Sequence, residues 1–209
     1  PLDHVINHIH VSIEGVHNKY NAAAALLAVD SIGINPDEEL LHSFIPAFGR
    51  MEEIKLTNQQ GEEKRAVILL SKNPTGFNQN IKLLTEKNGV GSILLVLNNR
   101  IPDGRDVSWI WDVDFGPVVD HSSIIVSGDR VWDLALRIKY KVSSIKYKAV
   151  APKNKTPIQQ YNNITIEEDL KKAIATGLKK TNSKSTLYIL PTYSAMLEVR
   201  KILLGRKLL

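Results

Sequence analysis

Residues 66–97, AVILLSKNPTGFNQNIKLLTEKNGVGSILLVL, set two short apolar runs on either side of a polar crossing. Ala66–Leu70 and Ser92–Leu97 read as buried strands, being too short for helices and rich in branched side chains. Between them lie a turn, SKNPTG (71–76), and a helix over 77–87. A strand, a covering helix and a second strand form the crossover unit of a parallel sheet. The alternation continues downstream. Strand 123–127 (SIIVS) leads through Gly128 to helix 130–139, and strand 144–150 precedes a Pro/Lys/Asn loop at 152–163. Helix 165–180 opens with Thr165 and Glu168 at capping-box spacing. Strand 185–190 then leads through Pro191 to helix 192–204. The expected fold is α/β: a Rossmann-like, mainly parallel sheet flanked by helices.

Upstream the pattern is less regular. Residues 5–13 (VINHIHVSI) alternate as a strand. Residues 18–32 carry an Ala-rich helix that Gly33 stops, and Pro36–Phe44 reads as a second short helix. Runs 51–56 and 66–70 flank the polar turn Asn58–Gly61 and read as a hairpin. The composition shifts near residue 50, so 1–49 reads as an appendage or the end of a preceding domain, and 50–209 as the α/β domain.

The 209 residues are 43% hydrophobic and 23% charged, which is globular rather than disordered. No run approaches 18 consecutive apolar residues, and the first ten have neither a basic nor an apolar leader region. The absence of cysteine excludes disulfides, a thiolate nucleophile and a cysteine zinc site from these residues. Net charge is +5 with pI near 9.3, and basic residues gather late, as in KYKVSSIKYK (139–148). That balance suits solvated faces, or a surface for an acidic partner or anionic lipid headgroups. No helix-turn-helix, RNA-binding aromatic motif or zinc finger points to nucleic acid.

The densest chemistry follows strand 92–97. DGRDVSWIWDVDF (103–115) packs Asp103, Asp106, Asp112, Asp114, Arg105, Trp109 and Trp111 into thirteen residues. Clustered carboxylates repel and cost stability unless something uses or offsets them. The loop leaving the carboxyl end of a parallel strand is where ligands collect. An Asp here can orient a histidine as the third member of a nucleophile triad. This chain has no Cys and no Gly-x-Ser-x-Gly elbow, so nucleophile and histidine would come from another subunit. Against this, Asp103 and Asp106 could simply cap turns while the tryptophans pack, and Asp112 with Asp114 could hold a metal.

Three further stretches carry polar chemistry. In GVHNKYN (15–21), His17, Asn18 and Asn21 crowd a helix start, either as an N-cap through Asn18 or as contacts to a base or ribose. In FGRMEE (48–53), Arg50 suits a phosphate or carboxylate, or a salt bridge with Glu52 or Glu53. In SKNPTGFNQN (71–80), Lys72, Asn73 and Asn78 surround a helix amino end, an anion-binding geometry or a plain turn. The phosphate-gripping signature G-x-x-x-x-G-K-S/T is absent. GVG (89–91) precedes its strand, the wrong side for a dinucleotide fingerprint. His8 and His10 share a strand face without a third ligand.

HNKYN before an Ala-rich helix, FGRME, KNPTGFNQ, DGRDVSWIWDVDF, SGDR with LRIKY, and LPTYSAML occur in the order seen in the MurT family. These are the Mur-ligase-like subunits of lipid II isoglutaminyl synthases, and the resemblance runs from about residue 11 to about 200. HNxxN is shared by all Mur ligases, whereas the DGRD block is specific. The resemblance implies ATP-dependent amidation of the D-glutamate α-carboxylate of lipid II in peptidoglycan synthesis. Ammonia would come from a GatD-type glutaminase partner. By position, Asp106 would complete the partner's Cys-His pair. His17, Asn18 and Asn21 would meet the adenine side of ATP, and Arg50, Lys72, Asn73 and Asn78 the phosphates.

The resemblance also implies Mg2+ with ATP in the complete enzyme, and cytoplasmic action at the inner membrane face. The family's GKT-bearing central domain and four-cysteine zinc ribbon are not in this sequence. Residues 1–49 would therefore be the end of the central domain, and the chain a carboxy-terminal portion, inactive alone. Gly116 stands where the family has Glu, and Asn98-Asn99 where it has Asn-Asp. The alternatives are the carboxy-terminal domain of an amino-acid-adding Mur ligase or folylpolyglutamate-type ligase, and a non-catalytic nucleotide-binding or scaffold module.

Overall fold

The computed structural model describes residues 15–34, 47–57, 62–119, 123–148 and 164–205. The chain divides into two compact units, Pro1–Met51 and Glu52–Leu209. In the first, helix α1 (Val16–Ser31) is stopped at Gly33, whose φ of 78° suits a residue without a side chain. The expected strand 5–13 and helix 36–44 lie outside the described residues.

The second unit is built on a six-stranded sheet. In chain order its elements are β1 (Arg50–Thr57), β2 (Glu63–Leu69), α2 (Pro74–Thr85), β3 (Val90–Val96), α3 (Gly116–Val119), β4 (Ser123–Ser127), α4 (Val131–Lys148), β5 (Ile164–Ile166), α5 (Leu170–Lys180), β6 (Thr186–Pro191) and α6 (Tyr193–Leu204). Strand order is β1-β2-β6-β3-β4-β5. Every pairing from β2 through β5 is parallel, with Ile68 opposite Ile189, Leu94 opposite both Ile189 and Ile125, and Val126 opposite Ile166. β1 and β2 are neighbours at one edge, as the hairpin reading requires, and their turn at 58–61 lies outside the described residues.

Strand alternation divides the core. Ala66, Ile68, Leu94, Val96, Ile125, Leu187 and Ile189 face Ala173 and Ile174 of α5 and Ala195, Met196 and Val199 of α6. Val67, Leu69, Ile93, Leu95, Ile124, Val126 and Leu190, also buried, turn to the opposite face. Both faces are covered, which explains why the strands read as continuous apolar runs. Arg200 on α6 is bonded to Glu52 on β1 (Nε–Oε1 2.9 Å), tying helix to edge strand.

Two sequence expectations fail here. The strand placed at 144–150 is helix: α4 runs on to Lys148, and 149–150 lie outside the described residues. In KYKVSSIKYK, Ile145 and Tyr147 fit an alternation while Val142 and Ile145 fit a helical three-residue spacing, and period alone does not arbitrate so short a run. The strand preceding the next helix is β5, three residues inside what reads as the helix opening. That helix starts at Leu170, capped by Asp169, whose carboxylate accepts from Lys172 N at 3.0 Å. Thr165 lies in β5, and Glu168 instead accepts from the Trp132 indole N–H at 2.9 Å, so neither forms the expected capping box.

Candidate functional site

The parallel strands deliver their carboxyl ends to one rim. Backbone bonds continue the ladder past them: Ser71 N to Pro191 O (2.8 Å), Leu97 N to Ser127 O (3.1 Å), Thr192 N to Val96 O (3.0 Å) and Arg130 N to Leu97 O (2.9 Å). Gly128, at φ 102°, sits so close to this junction that a Cβ would lie 2.6 Å from Leu97 O and 2.8 Å from Asn98 Oδ1. The acidic loop rises from the rim as two short 3-10 turns, Ile101–Asp103 and Ser108–Asp112.

Four anchors hold it. Asn98 is buried; its amide Nδ2 donates to Ser194 Oγ (3.1 Å), its Oδ1 accepts from Asp129 N (3.0 Å), and its backbone N donates to Thr192 Oγ1 (3.0 Å). Arg100 grips Asp129 with two bonds (2.8 and 3.1 Å) and also donates to Glu198. This double pairing raises its pKa still further. Asp103 accepts from Ser194 N (2.8 Å) and Ser194 Oγ, latching the first turn onto the start of α6, and from Arg100 N (3.2 Å).

The third anchor is Asn78 on α2. Its Nδ2 donates to Asp112 O (3.1 Å) and its Oδ1 accepts from Asp114 N (2.8 Å). The fourth is Arg137 on α4, buried beneath the second turn. It donates to the carbonyls of Ile110 (3.1 Å), Trp111 (3.1 Å) and Val113 (2.6 Å). Its guanidinium also lies 5.3 Å from the Trp111 ring centre and 5.8 Å from that of Phe115. Burial lowers its pKa, which Asp114 and Asp112 partly oppose. Below, Phe115 meets Phe77 edge to face at 5.3 Å, and Trp109 lies 6.3 Å from Phe77.

At the apex of this braced loop Asp106 is exposed. Its Oδ1 accepts from Ser108 N (2.8 Å) and its Oδ2 from Ser108 Oγ (2.9 Å). These donors, the backbone one foremost, hold its carboxyl below the usual aspartate range. Each carboxylate oxygen has a second lone-pair direction, so a fixed, ionised acceptor faces solvent. Arg105, Asp112 and Asp114 are exposed beside it in the chain. The four aspartates thus divide: Asp103 is a latch, Asp106 an outward acceptor. Among the described residues no three His, Cys, Asp or Glu side chains gather as a metal site.

The other sequence candidates fall as follows. Lys72 is exposed. Asn73 is the N-cap of α2, accepting from Gly76 N at 2.8 Å. Asn78 is engaged by the acidic loop through both ends of its amide. In the first unit, the N-cap of α1 is Gly15, with no side-chain cap bond, so Asn18 lies within the first turn rather than capping it. Asn18 is half-buried and Asn21 exposed, while the side chain of His17 lies outside what is described. Arg50 is exposed at the start of β1. Sequence reading missed Asn98, Arg100, Arg137 and Ser194, the anchors of the loop. Arg137 carried the one signal, as a charge set between Leu136 and Ile138 in the largely apolar VWDLALRI.

Residues 70–196 match the family described as MurT ligase C-terminal. Similar proteins include the "Lipid II isoglutaminyl synthase (glutamine-hydrolyzing) subunit MurT" of Staphylococcus aureus, 30% identical over 89% of this chain and 38% of that protein. The Streptococcus pneumoniae protein of the same description is 29% identical over 95% of this chain and 40% of that one. The chain therefore spans about two fifths of the length of these relatives. Among solved structures, Mycobacterium tuberculosis folylpolyglutamate synthase superposes with a TM-score of 0.62 at 17% identity, over 95% of this chain and 42% of that one. The UDP-N-acetylmuramate-alanine ligase of Thermotoga maritima gives 0.56 at 14% identity, over 94% and 39%. These two likenesses show the fold, that of the Mur and folylpolyglutamate ligases.

Proposed function

Because the chain belongs to the MurT ligase C-terminal family, we propose that it is the carboxy-terminal domain of the ligase subunit of a glutamine-hydrolysing lipid II amidating enzyme. In this reading Asp106 is the acid of a split triad. Its carboxylate accepts the N–H of a histidine on a GatD-type glutaminase, fixing the tautomer that activates that chain's cysteine. Ammonia so released converts the D-glutamate α-carboxylate of lipid II to the amide. The carrying observation is the exposed, ionised and doubly oriented Asp106 on a loop braced from four sides. An Asp106 buried among its neighbours and unreachable from outside would have ended the proposal.

ATP supplies the activation of the carboxylate as an acyl phosphate. Lys72, exposed beside the amino end of α2, has the donor chemistry an anionic phosphate needs. Asn73 rigidifies that turn. Asn78 does not fit a phosphate-binding role, because the acidic loop consumes its amide. His17, Asn18 and Asn21 on α1 would meet the adenine side of ATP, and Arg50 at the start of β1 the phosphates. The residues present do not fit a zinc ribbon, which needs cysteines this sequence lacks. No Mg2+ cage is assembled among the described residues. Residues 1–49 are assigned to the end of the preceding ligase domain and 50–209 to this one. The enzyme's place of work is the cytoplasmic face of the membrane, where lipid II presents its stem peptide; among the described residues no helix is long and apolar enough to cross it.

The test is Asp106→Asn in the two-subunit complex. Glutamine hydrolysis should fall about 10³–10⁴-fold, as when a triad acid is made neutral, with melting temperature unchanged. Full glutaminase activity in the variant removes Asp106 from the mechanism. A chain that binds no glutaminase is instead the corresponding domain of an amino-acid-adding ligase.

A further inference from the structure

Among the described residues one face of α4 is exposed. Trp132, Leu136 and Tyr140 recur at four-residue spacing, so they share a stripe along the helix. Their exposures are 61%, 62% and 61%. The stripe does not end with the helix. The Tyr140 ring meets Trp111 of the acidic loop edge to face, at 5.5 Å and 70°, and Trp111 is itself 48% exposed. Arg137 beneath fixes Trp111 in place through its carbonyl and its ring. The result is a continuous aromatic-aliphatic surface that reaches the loop carrying Asp106. Isolated exposed apolar residues need no explanation, but a contiguous group rich in Trp and Tyr marks an interaction site.

The geometry points to this stripe as the docking surface of the same glutaminase whose triad Asp106 completes; the inference rests on that reading of Asp106. The occupant follows from continuity and size. Five residues of chain separate Asp106 from Trp111, at most about 18 Å. Trp132 to Tyr140 spans eight helical residues, about 12 Å. A standard interface covers about 800 Å² on each partner, a patch about 30 Å across. An interface of that size seated on Asp106 reaches Trp111 and, through it, the Tyr140 end of the stripe. A carboxylate alone gives a partner little reason to stay, since an exposed charge pair contributes little. Buried aromatic anchors are what hold interfaces. Labour is divided: Trp111, Trp132, Leu136 and Tyr140 supply affinity, Asp106 supplies chemistry. The partner surface is apolar and grooved where it meets the stripe, with its catalytic histidine at one end.

Leu136→Glu tests this in the complex formed with the glutaminase encoded in the same organism. Leu136 is exposed, so the variant should melt as the parent does. Its affinity for the glutaminase should fall at least tenfold, with glutamine hydrolysis recovered at saturating glutaminase. Asp106→Asn should show the converse: parental affinity and lost hydrolysis at any concentration. Lys171→Glu, on α5, serves as the exposed control and should leave both unchanged. Hydroxyl-radical footprinting gives an independent measure: Trp111, Trp132 and Tyr140 should react in the free subunit and become protected on adding glutaminase. Parental affinity of Leu136→Glu, or rings already protected without the glutaminase, overturns the docking surface while leaving Asp106 in its role. No binding by the parent overturns both.

Discussion

Asp106 and Ser108 act as a pair. The Ser108 hydroxyl and amide both stabilise the ionised carboxylate, so its pKa lies below the ordinary aspartate value. The sign follows: an aspartate whose folded pKa is depressed keeps its charge until the pH falls through that lowered value. Asp106 is therefore ionised throughout the neutral and mildly acidic range, so on the proposed reading an acid limb of glutaminase activity in that range would not come from Asp106. Ser108→Ala removes one donor and leaves the backbone one. Its Asp106 carboxyl, followed by carbon-13 NMR, should titrate at higher pH than in the parent; an unchanged midpoint would show that the hydroxyl contributes nothing. The cluster of aspartates was readable as chemistry, because four carboxylates in thirteen residues demand an explanation. Which of them faces outward was not, since Asp103 and Asp106 occupy equivalent places in DGRD and are separated only by the distant Ser194.

Elements, rather than the loop's own sequence, hold the site in shape. Arg137 is the clearest case. Replacing it with Met keeps most of the apolar stem and removes a donor from three carbonyls beneath the second 3-10 turn. Ile110 O still accepts from Val113 N, Trp111 O is only part-buried, and Val113 O is the buried acceptor that loses its partner. A buried acceptor left without a partner costs about 1–3 kcal/mol, so Arg137→Met should lose about that much in denaturant unfolding, and on the proposed reading glutaminase coupling with it. A loss under 1 kcal/mol would mean that water replaces the guanidinium freely. Gly128 sets the spacing of the β3 and β4 ends in the same way. A methyl there meets the Leu97 carbonyl at 2.6 Å, and the φ of 102° is strained for any side chain. Gly128→Ala should cost about 1–3 kcal/mol and perturb the Asn98 amide in an NMR spectrum; a variant as stable as the parent would show that the junction yields. The central strands were legible because each is buried on both faces and reads as an unbroken apolar run. The three-residue β5 and the carboxyl end of α4 were not, since one is too short to show a period and the other is polar enough to fit two. Anchors such as Asn98 and Arg137 were hidden for a different reason: a polar residue within an apolar element looks like an exposed position until its partners, contributed by remote segments, are known.

At the scale of the molecule, the sheet brings one rim to bear on two separate tasks. On the proposed reading the acidic loop and the α4 stripe would serve a partner, while Lys72 at the crossing into α2 would meet an anion. Donors at a helix end hold a phosphate; they do not hydrolyse it. Hydrolysis needs a loop that wraps the β- and γ-phosphates and a site for the metal that bridges them. The sequence contains no G-x-x-x-x-G-K-S/T, and the described residues gather no metal-ligating cluster. On the proposed reading the chain, which spans about two fifths of the length of its relatives, carries only part of that machinery, so these 209 residues alone should turn over no ATP while still binding the glutaminase through α4 and Asp106. Phosphate release assays on the purified chain, with and without the glutaminase, check the first part, and calorimetry against the glutaminase checks the second. ATP turnover by the chain alone would mean that the rim between β2 and α2 does more than present donors. The predicted separation of docking from turnover follows from the layout itself: among the described residues, Asp106 is held by Ser108 and its loop by the ends of β3 and β4 and the helices α2, α4 and α6, all within Glu52–Leu209.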